Sequence, residues 1–105
     1  MHTPPVDITP DALFQLLKES SDLLLIDVRT IAEREQFNIG GMHVPMEDIN
    51  RSIEEIRNAK SVIFYCEKGI RSMIVIQRLQ EKYGFNHLVN LQGGMKAWKK
   101  EIPQQ

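Results

Sequence analysis

The residues best suited to chemistry form one short run, Cys66-Glu67-Lys68-Gly69-Ile70-Arg71-Ser72, and Cys66 is the only cysteine among 105 residues. A thiolate is a strong nucleophile. A loop with the charges of Lys68 and Arg71 favours that form over the neutral thiol. The run follows Ser61 to Tyr65, which reads as a buried strand, and it opens a helical pattern over Arg71 to Tyr83. A short strand-to-helix loop turns successive backbone N–H groups inward and makes an anion cradle. The helix N-terminus behind it adds unpaired N–H groups and the positive end of the helix dipole. Gly69 supplies a backbone conformation closed to most residues. These features predict Cys66 as the nucleophile, with Glu67, Lys68, Gly69, Ile70, Arg71 and Ser72 as the loop that binds an anionic substrate. A lone cysteine is more often a buried structural residue. The strand end, the glycine and the two cations argue against that here.

The elements that must hold this loop alternate along the chain. Thr9-Pro10-Asp11 starts a helix, with Thr9 as its cap and Leu13, Leu16 and Leu17 on its apolar face. Ser20, Ser21 and Asp22 turn into a strand, Leu23 to Val28. Ala32 to Phe37 reads as a short helix, interrupted by Gly40 and Gly41, and His43-Val44-Pro45 as a short strand. Met46, Ile49, Ile53 and Ile56 share one helix face. Leu88 to Leu91 is a core strand, and Gly93-Gly94 turns into a last helix carrying Met95 and Trp98. Pro4, Pro5 and the tail from Ile102 to Gln105 read as loose ends. Strands alternating with helices predict a three-layer α/β domain over residues 5–101, with a small, mostly parallel sheet and helices on both faces. Ligands of such sheets sit beyond the C-terminal strand ends. That places Asp27 and Arg29, at the end of the first strong strand, near Cys66. They read as a structural ion pair in preference to catalytic groups.

Composition narrows the field. Hydrophobic residues are 42%, charged residues 26%, and the net charge is −1. That is an ordinary globular balance, without the basic excess of a nucleic-acid binder. The longest apolar run, Leu23 to Ile26, is far too short to span a bilayer. Met1 to Asp7 lacks the pattern of a leader peptide, and a lone thiol suits a reducing compartment, so the expected location is the cytoplasm. No cluster has zinc-ligand spacing, and neither metal nor cofactor is expected. His43 reads as structural. His2 and His87 have no chemical partner in the sequence.

The loop resembles the active-site loop of the rhodanese family, Cys-x-x-Gly-x-Arg-Ser. Leu25-Ile26-Asp27-Val28-Arg29 resembles the family's Asp-Val-Arg strand end. Val89-Asn90-Leu91-Gln92-Gly93-Gly94-Met95-Lys96-Ala97-Trp98 is similar to its Gly-Gly-x-x-Ala-Trp segment. The three matches occur in order, and the resemblance runs from about Thr9 to Trp98. One segment departs from the common Gly-His-Ile-Pro-Gly-Ala pattern: here it is Asn38-Ile39-Gly40-Gly41-Met42-His43-Val44-Pro45, similar to a variant in rhodanese modules tied to sulfur-carrier activation.

The resemblance implies a sulfurtransferase in which Cys66 takes up sulfane sulfur as a persulfide. The N–H groups of residues 67 to 71 would hold the charged sulfur. Arg71, with Lys68, would bind an anionic donor such as thiosulfate or a protein persulfide. The acceptor would be cyanide, a thiol or a sulfur-carrier protein. It must come from outside, because no second cysteine can resolve the persulfide. Related cysteine phosphatases place one more residue between Cys and Arg to wrap a phosphate. The four here, Glu67 to Ile70, suit a sulfur atom better. The rival reading is a non-catalytic binding or sulfur-relay module that works only with protein partners.

Overall fold

The computed structural model describes residues 6–19 and 22–103. Five strands form one sheet: β1 (Val6–Ile8), β2 (Leu23–Asp27), β3 (Met42–His43), β4 (Ser61–Tyr65) and β5 (Leu88–Leu91). Their spatial order is β1-β5-β4-β2-β3, and every pairing is parallel. The helices are α1 (Pro10–Glu19), α2 (Ile31–Gln36), α3 (Ile53–Asn58), α4 (Ile70–Tyr83) and α5 (Gly94–Glu101), with a 3-10 segment over Met46–Ser52.

Strand alternation decides which side chain faces which layer. On β4, Val62 and Phe64 enter a core completed by Ile53 and Ile56 of α3 and by Val75, Ile76 and Leu79 of α4. Ile63 and Tyr65, on the other face, meet Leu13 of α1 and Met95 and Trp98 of α5. The result is the expected α/β architecture of three layers, with β4 and its C-terminal Cys66 in the middle of the sheet.

Several local expectations change. β1 was not anticipated: three residues behind two prolines carry little periodic signal, and pairing of Val6 with Val89 makes them an edge strand. The helix expected from Met46 to Ile56 divides at Ser52 into a 3-10 segment and α3. The Asp48 N–H bonds the Pro45 carbonyl at 2.7 Å, an i to i−3 link. Residues three apart eclipse in that geometry, so Met46 and Ile49 both still face the core. The short strand falls on Met42–His43, one residue earlier than expected. Ile102 is not a loose end; it is 6% exposed and packs beside Trp98. Pro4, Pro5, Ser20, Ser21, Gln104 and Gln105 lie outside the described residues.

Candidate active site

Cys66 follows β4 directly and is 1% exposed. It lines a hollow of about 370 Å³ together with Glu33, Glu67, Lys68, Ile70 and Arg71. A larger hollow of about 480 Å³ lies between the 3-10 segment and α4, but it contains no nucleophilic thiol. Chemistry, not size, selects the smaller one.

Two backbone donors address the sulfur. The Gly69 N–H approaches Sγ at 3.1 Å and the Ser72 N–H at 3.4 Å. Of the amides expected to hold the sulfur, Gly69's alone among residues 67 to 71 bonds Sγ, and Ser72's joins it from within α4. Gly69 caps the 14-residue α4 at φ 85°, in the left-handed region that glycine enters without strain.

The loop is gripped from behind. Met95 N–H donates to the Cys66 carbonyl and Lys96 N–H to the Glu67 carbonyl, both at 2.9 Å. The start of α5 thus draws those two carbonyls away from the sulfur. Gly94 permits the approach: a Cβ there would lie 2.5 Å from the Cys66 carbonyl oxygen. The Gly93-Gly94 pair therefore shapes the Cys66 loop, although it stands 27 residues away in the chain.

Asn90, in the middle of β5, was not among the expected site residues. Its Nδ2 donates to Asp7 Oδ1 at 3.1 Å and to the Gly69 carbonyl at 3.3 Å. Both are acceptors, so the amide orientation is fixed and Oδ1 faces Ser72, whose hydroxyl lies 2.5 Å away. The single Ser72 proton is spent on Asn90. At Cys66 the hydroxyl, 3.3 Å from Sγ, can only accept. A negative sulfur is accordingly held by the two N–H groups and not by the hydroxyl. The signal for Asn90 was a buried polar residue within an otherwise apolar strand.

Glu33 was also missed. Arg71 Nη1 and Nη2 meet its two carboxylate oxygens at 2.9 and 2.8 Å. Glu33 simultaneously accepts from the Thr30 N–H at 3.0 Å and returns the Thr30 side-chain cap of α2. The Arg71 hydrogen bonds, opposed by burial and helped by Thr30, pull the Glu33 carboxyl down to about 2. Its sequence signal was the Thr30-Ile31-Ala32-Glu33 capping box. Arg71 is thus not a free cation. With Glu33 and Glu67 beside Lys68 and Arg71, the mouth is balanced in charge and not basic.

Asp27 and Arg29 stand beside the loop as a buried pair, with Arg34 Nη1 3.5 Å from the Asp27 carboxylate. Arg29 Nε and Nη2 meet the Asp27 carboxylate at 3.0 and 3.1 Å, with the side chains 1% and 0% exposed. Burial works against the Arg29 charge, but the Asp27 hydrogen bond and charge outweigh it and raise its pKa. Arg29 Nη1 also reaches Glu67 at 3.3 Å and links the end of β2 to the Cys66 loop. His43 Nε2 lies 2.8 Å from the Arg29 carbonyl and steadies that strand end. Around the variant segment, Arg34 binds the carbonyls of Gly40 at 3.1 Å and Gly41 at 3.0 Å. The Tyr65 hydroxyl donates to the Gly40 carbonyl at 2.9 Å. Among the described residues no group of three or more His, Cys, Asp or Glu side chains could hold a metal ion. Nor is any helix of these residues long and apolar enough to cross a membrane.

A rhodanese-like domain model matches residues 9–101. The chain is 36% identical over 93 residues to a sulfurtransferase of Allochromatium vinosum, covering 88% of this chain and 86% of that protein. It is 33% identical over 88 residues to the thiosulfate sulfurtransferase GlpE of Coxiella burnetii, covering 83% and 81%. The crystal structure of a rhodanese-like domain protein from Staphylococcus aureus superposes with a TM-score of 0.77 at 32% identity, covering 94% of this chain and 96% of that one.

Proposed function

This chain belongs to the rhodanese-like domain family, and on that premise we propose that it is a sulfurtransferase carrying sulfane sulfur as a persulfide on Cys66. The observation that carries this reading is the aim of the Gly69 and Ser72 N–H groups at Sγ, 3.1 and 3.4 Å away, at the start of α4. Donors so placed stabilise negative charge that develops on sulfur during the transfer and in the persulfide.

The chemistry has two halves. The Cys66 thiolate attacks the sulfane sulfur of an anionic donor, thiosulfate or a protein persulfide. A bond forms from Sγ to that sulfur. The donor's sulfur–sulfur bond breaks, and sulfite or a thiolate leaves with the electron pair. A thiophilic acceptor then attacks the outer sulfur, and Cys66 departs as thiolate. Cyanide would become thiocyanate; a thiol or sulfur-carrier protein would become the persulfide or its equivalent. The acceptor is external because Cys66 has no second cysteine to resolve it. Lys68 and Arg71 are the cations at the mouth, and the loop from Glu67 to Ser72 binds the donor. Asp27 and Arg29 support the loop without touching substrate. The working unit is one domain, residues 5–101, acting in the cytoplasm, where a lone thiol stays reduced.

Intact-mass spectrometry after incubation with thiosulfate, and then with cyanide, tests the proposal. One added sulfur is expected, absent from Cys66→Ser and removed by cyanide. Full activity surviving in a folded Cys66→Ser protein would sink the mechanism. No sulfur gain from any small donor, with gain from a persulfidated protein, would point to the relay module.

A further inference from the structure

We infer that Glu33 sets the donor class of this site: by cancelling the charge of Arg71 it disfavours dianions and selects persulfides borne on organic thiols. The inference rests on the sulfur-transfer reading above and narrows it. An arginine in a nucleophile's binding loop would ordinarily be the anchor for a doubly charged donor. Here each terminal nitrogen of its fork bonds one Glu33 carboxylate oxygen, at 2.9 and 2.8 Å, so the positive charge already faces a negative one. The carboxylate is not free to swing aside, because the Thr30 N–H and hydroxyl hold the same Oε1 at 3.0 and 3.1 Å. Glu33 and Arg71 both line the hollow over Cys66, so the negative charge stands where a donor must enter.

The remaining lining groups do not restore a positive mouth. Glu67 adds a second carboxylate to the lining beside Lys68, and Arg29 behind it, 3.3 Å away, also bonds Asp27. What the mouth offers instead is carbon: Ile70, at the rim, is 62% exposed. A thiosulfate ion brings two charges and no apolar surface. The persulfide RS–SH of an uncharged thiol brings carbon in its R group and at most one charge. Its transfer balances without any added reagent. The Cys66 thiolate attacks the outer sulfur, the Sγ–S bond forms, and the RS–S bond breaks. RS⁻ leaves with the electron pair, and the proton stays on the transferred sulfur until solvent takes it.

The test is the rate at which Cys66 gains one sulfur, followed by rapid-quench intact mass. Wild type and Glu33→Gln are compared with thiosulfate and with the persulfide of 2-mercaptoethanol. Glutamine also completes a capping box, so the Glu33→Gln change keeps α2 capped while removing the charge. Expected is a rise of about tenfold in thiosulfate loading for Glu33→Gln, shrinking in high salt, from the Coulomb effect of one charge near a dianion. Persulfide loading should change by less than about twofold on the same reasoning. Arg71→Gln, which leaves Glu33 unopposed, should lower thiosulfate loading further than persulfide loading. An unchanged or reduced thiosulfate rate in a folded Glu33→Gln protein, or an equal rise with both donors, overturns the inference and leaves sulfur transfer standing. No sulfur gain by wild type from either donor, with Cys66 still alkylatable, overturns both.

Discussion

Asn90 Oδ1 accepts the Ser72 hydroxyl's hydrogen bond at 2.5 Å, so the Ser72 oxygen, 3.3 Å from the Cys66 sulfur, meets it with a lone pair and not with a proton. This makes a strand residue part of the loop's design. Replacing Asn90 by alanine strands the Ser72 hydroxyl and the Gly69 carbonyl in a buried setting. The expected loss is about 1–3 kcal/mol of stability, read from urea unfolding. Asn90→Asp keeps the acceptor for Ser72 but no donor for Gly69, and should not rescue that loss. Wild-type stability in Asn90→Ala would show that the network contributes nothing.

The buried Asp27–Arg29 pair should behave asymmetrically. Arg29→Ala leaves the buried Asp27 carboxylate with only the 3.5 Å contact to Arg34 as an ion pair and should cost up to about 3–5 kcal/mol. Removing both charges in Asp27→Asn with Arg29→Met should cost much less than the sum of the single changes, because neither of the two buried charges is then left facing the loss of the other. A double-mutant cycle by chemical denaturation measures the coupling. Additive losses would mean that the two side chains contribute independently.

Gly94→Ala should damage the site from a distance. Its new Cβ would lie 2.5 Å from the Cys66 carbonyl oxygen, at a residue with φ of 62°. The start of α5 must retreat, releasing the carbonyls of Cys66 and Glu67. Misplacing a reacting atom by an ångström can cost about a hundredfold in rate. Sulfur loading of Cys66 should fall accordingly, while the far-ultraviolet circular dichroism stays that of an α/β fold. An unchanged loading rate would show that α5 does not shape the loop.

The Glu33–Arg71 pair sets an acid limit. The ordinary Glu33 value is 4.5 and the bound value about 2. A lowered carboxylate value contributes stability that is complete above 4.5 and lost as pH falls toward 2. Wild type should therefore exceed Glu33→Gln in melting temperature at neutral pH, and the gap should close between pH 4.5 and about 2. A gap that persists unchanged at pH 2 would mean that packing, and not the ion pair, accounts for it.

The sequence by itself determined the alternating architecture and the reactive loop. Both are local: Ser61 to Tyr65 is apolar throughout its interior, Cys66 and Gly69 follow at once, and Val75, Ile76 and Leu79 mark the inward face of α4. Charge balance at the mouth was decided only by tertiary structure, because Glu33 meets Arg71 across 38 residues of chain. The Thr30-Ile31-Ala32-Glu33 capping box is a local signal for a helix start, but nothing local says which cation that helix will face. Asn90 is the same case: its polarity within β5 was visible, but its partners Ser72, Gly69 and Asp7 come from α4, its cap and β1. β1 itself exists through pairing with β5, since three residues have no periodicity of their own to declare a strand. Periodicity and loop chemistry act over a few residues and can be read in order along a chain. Hydrogen-bond and ion-pair partners are chosen by distance in space, and only the folded sheet sets those distances.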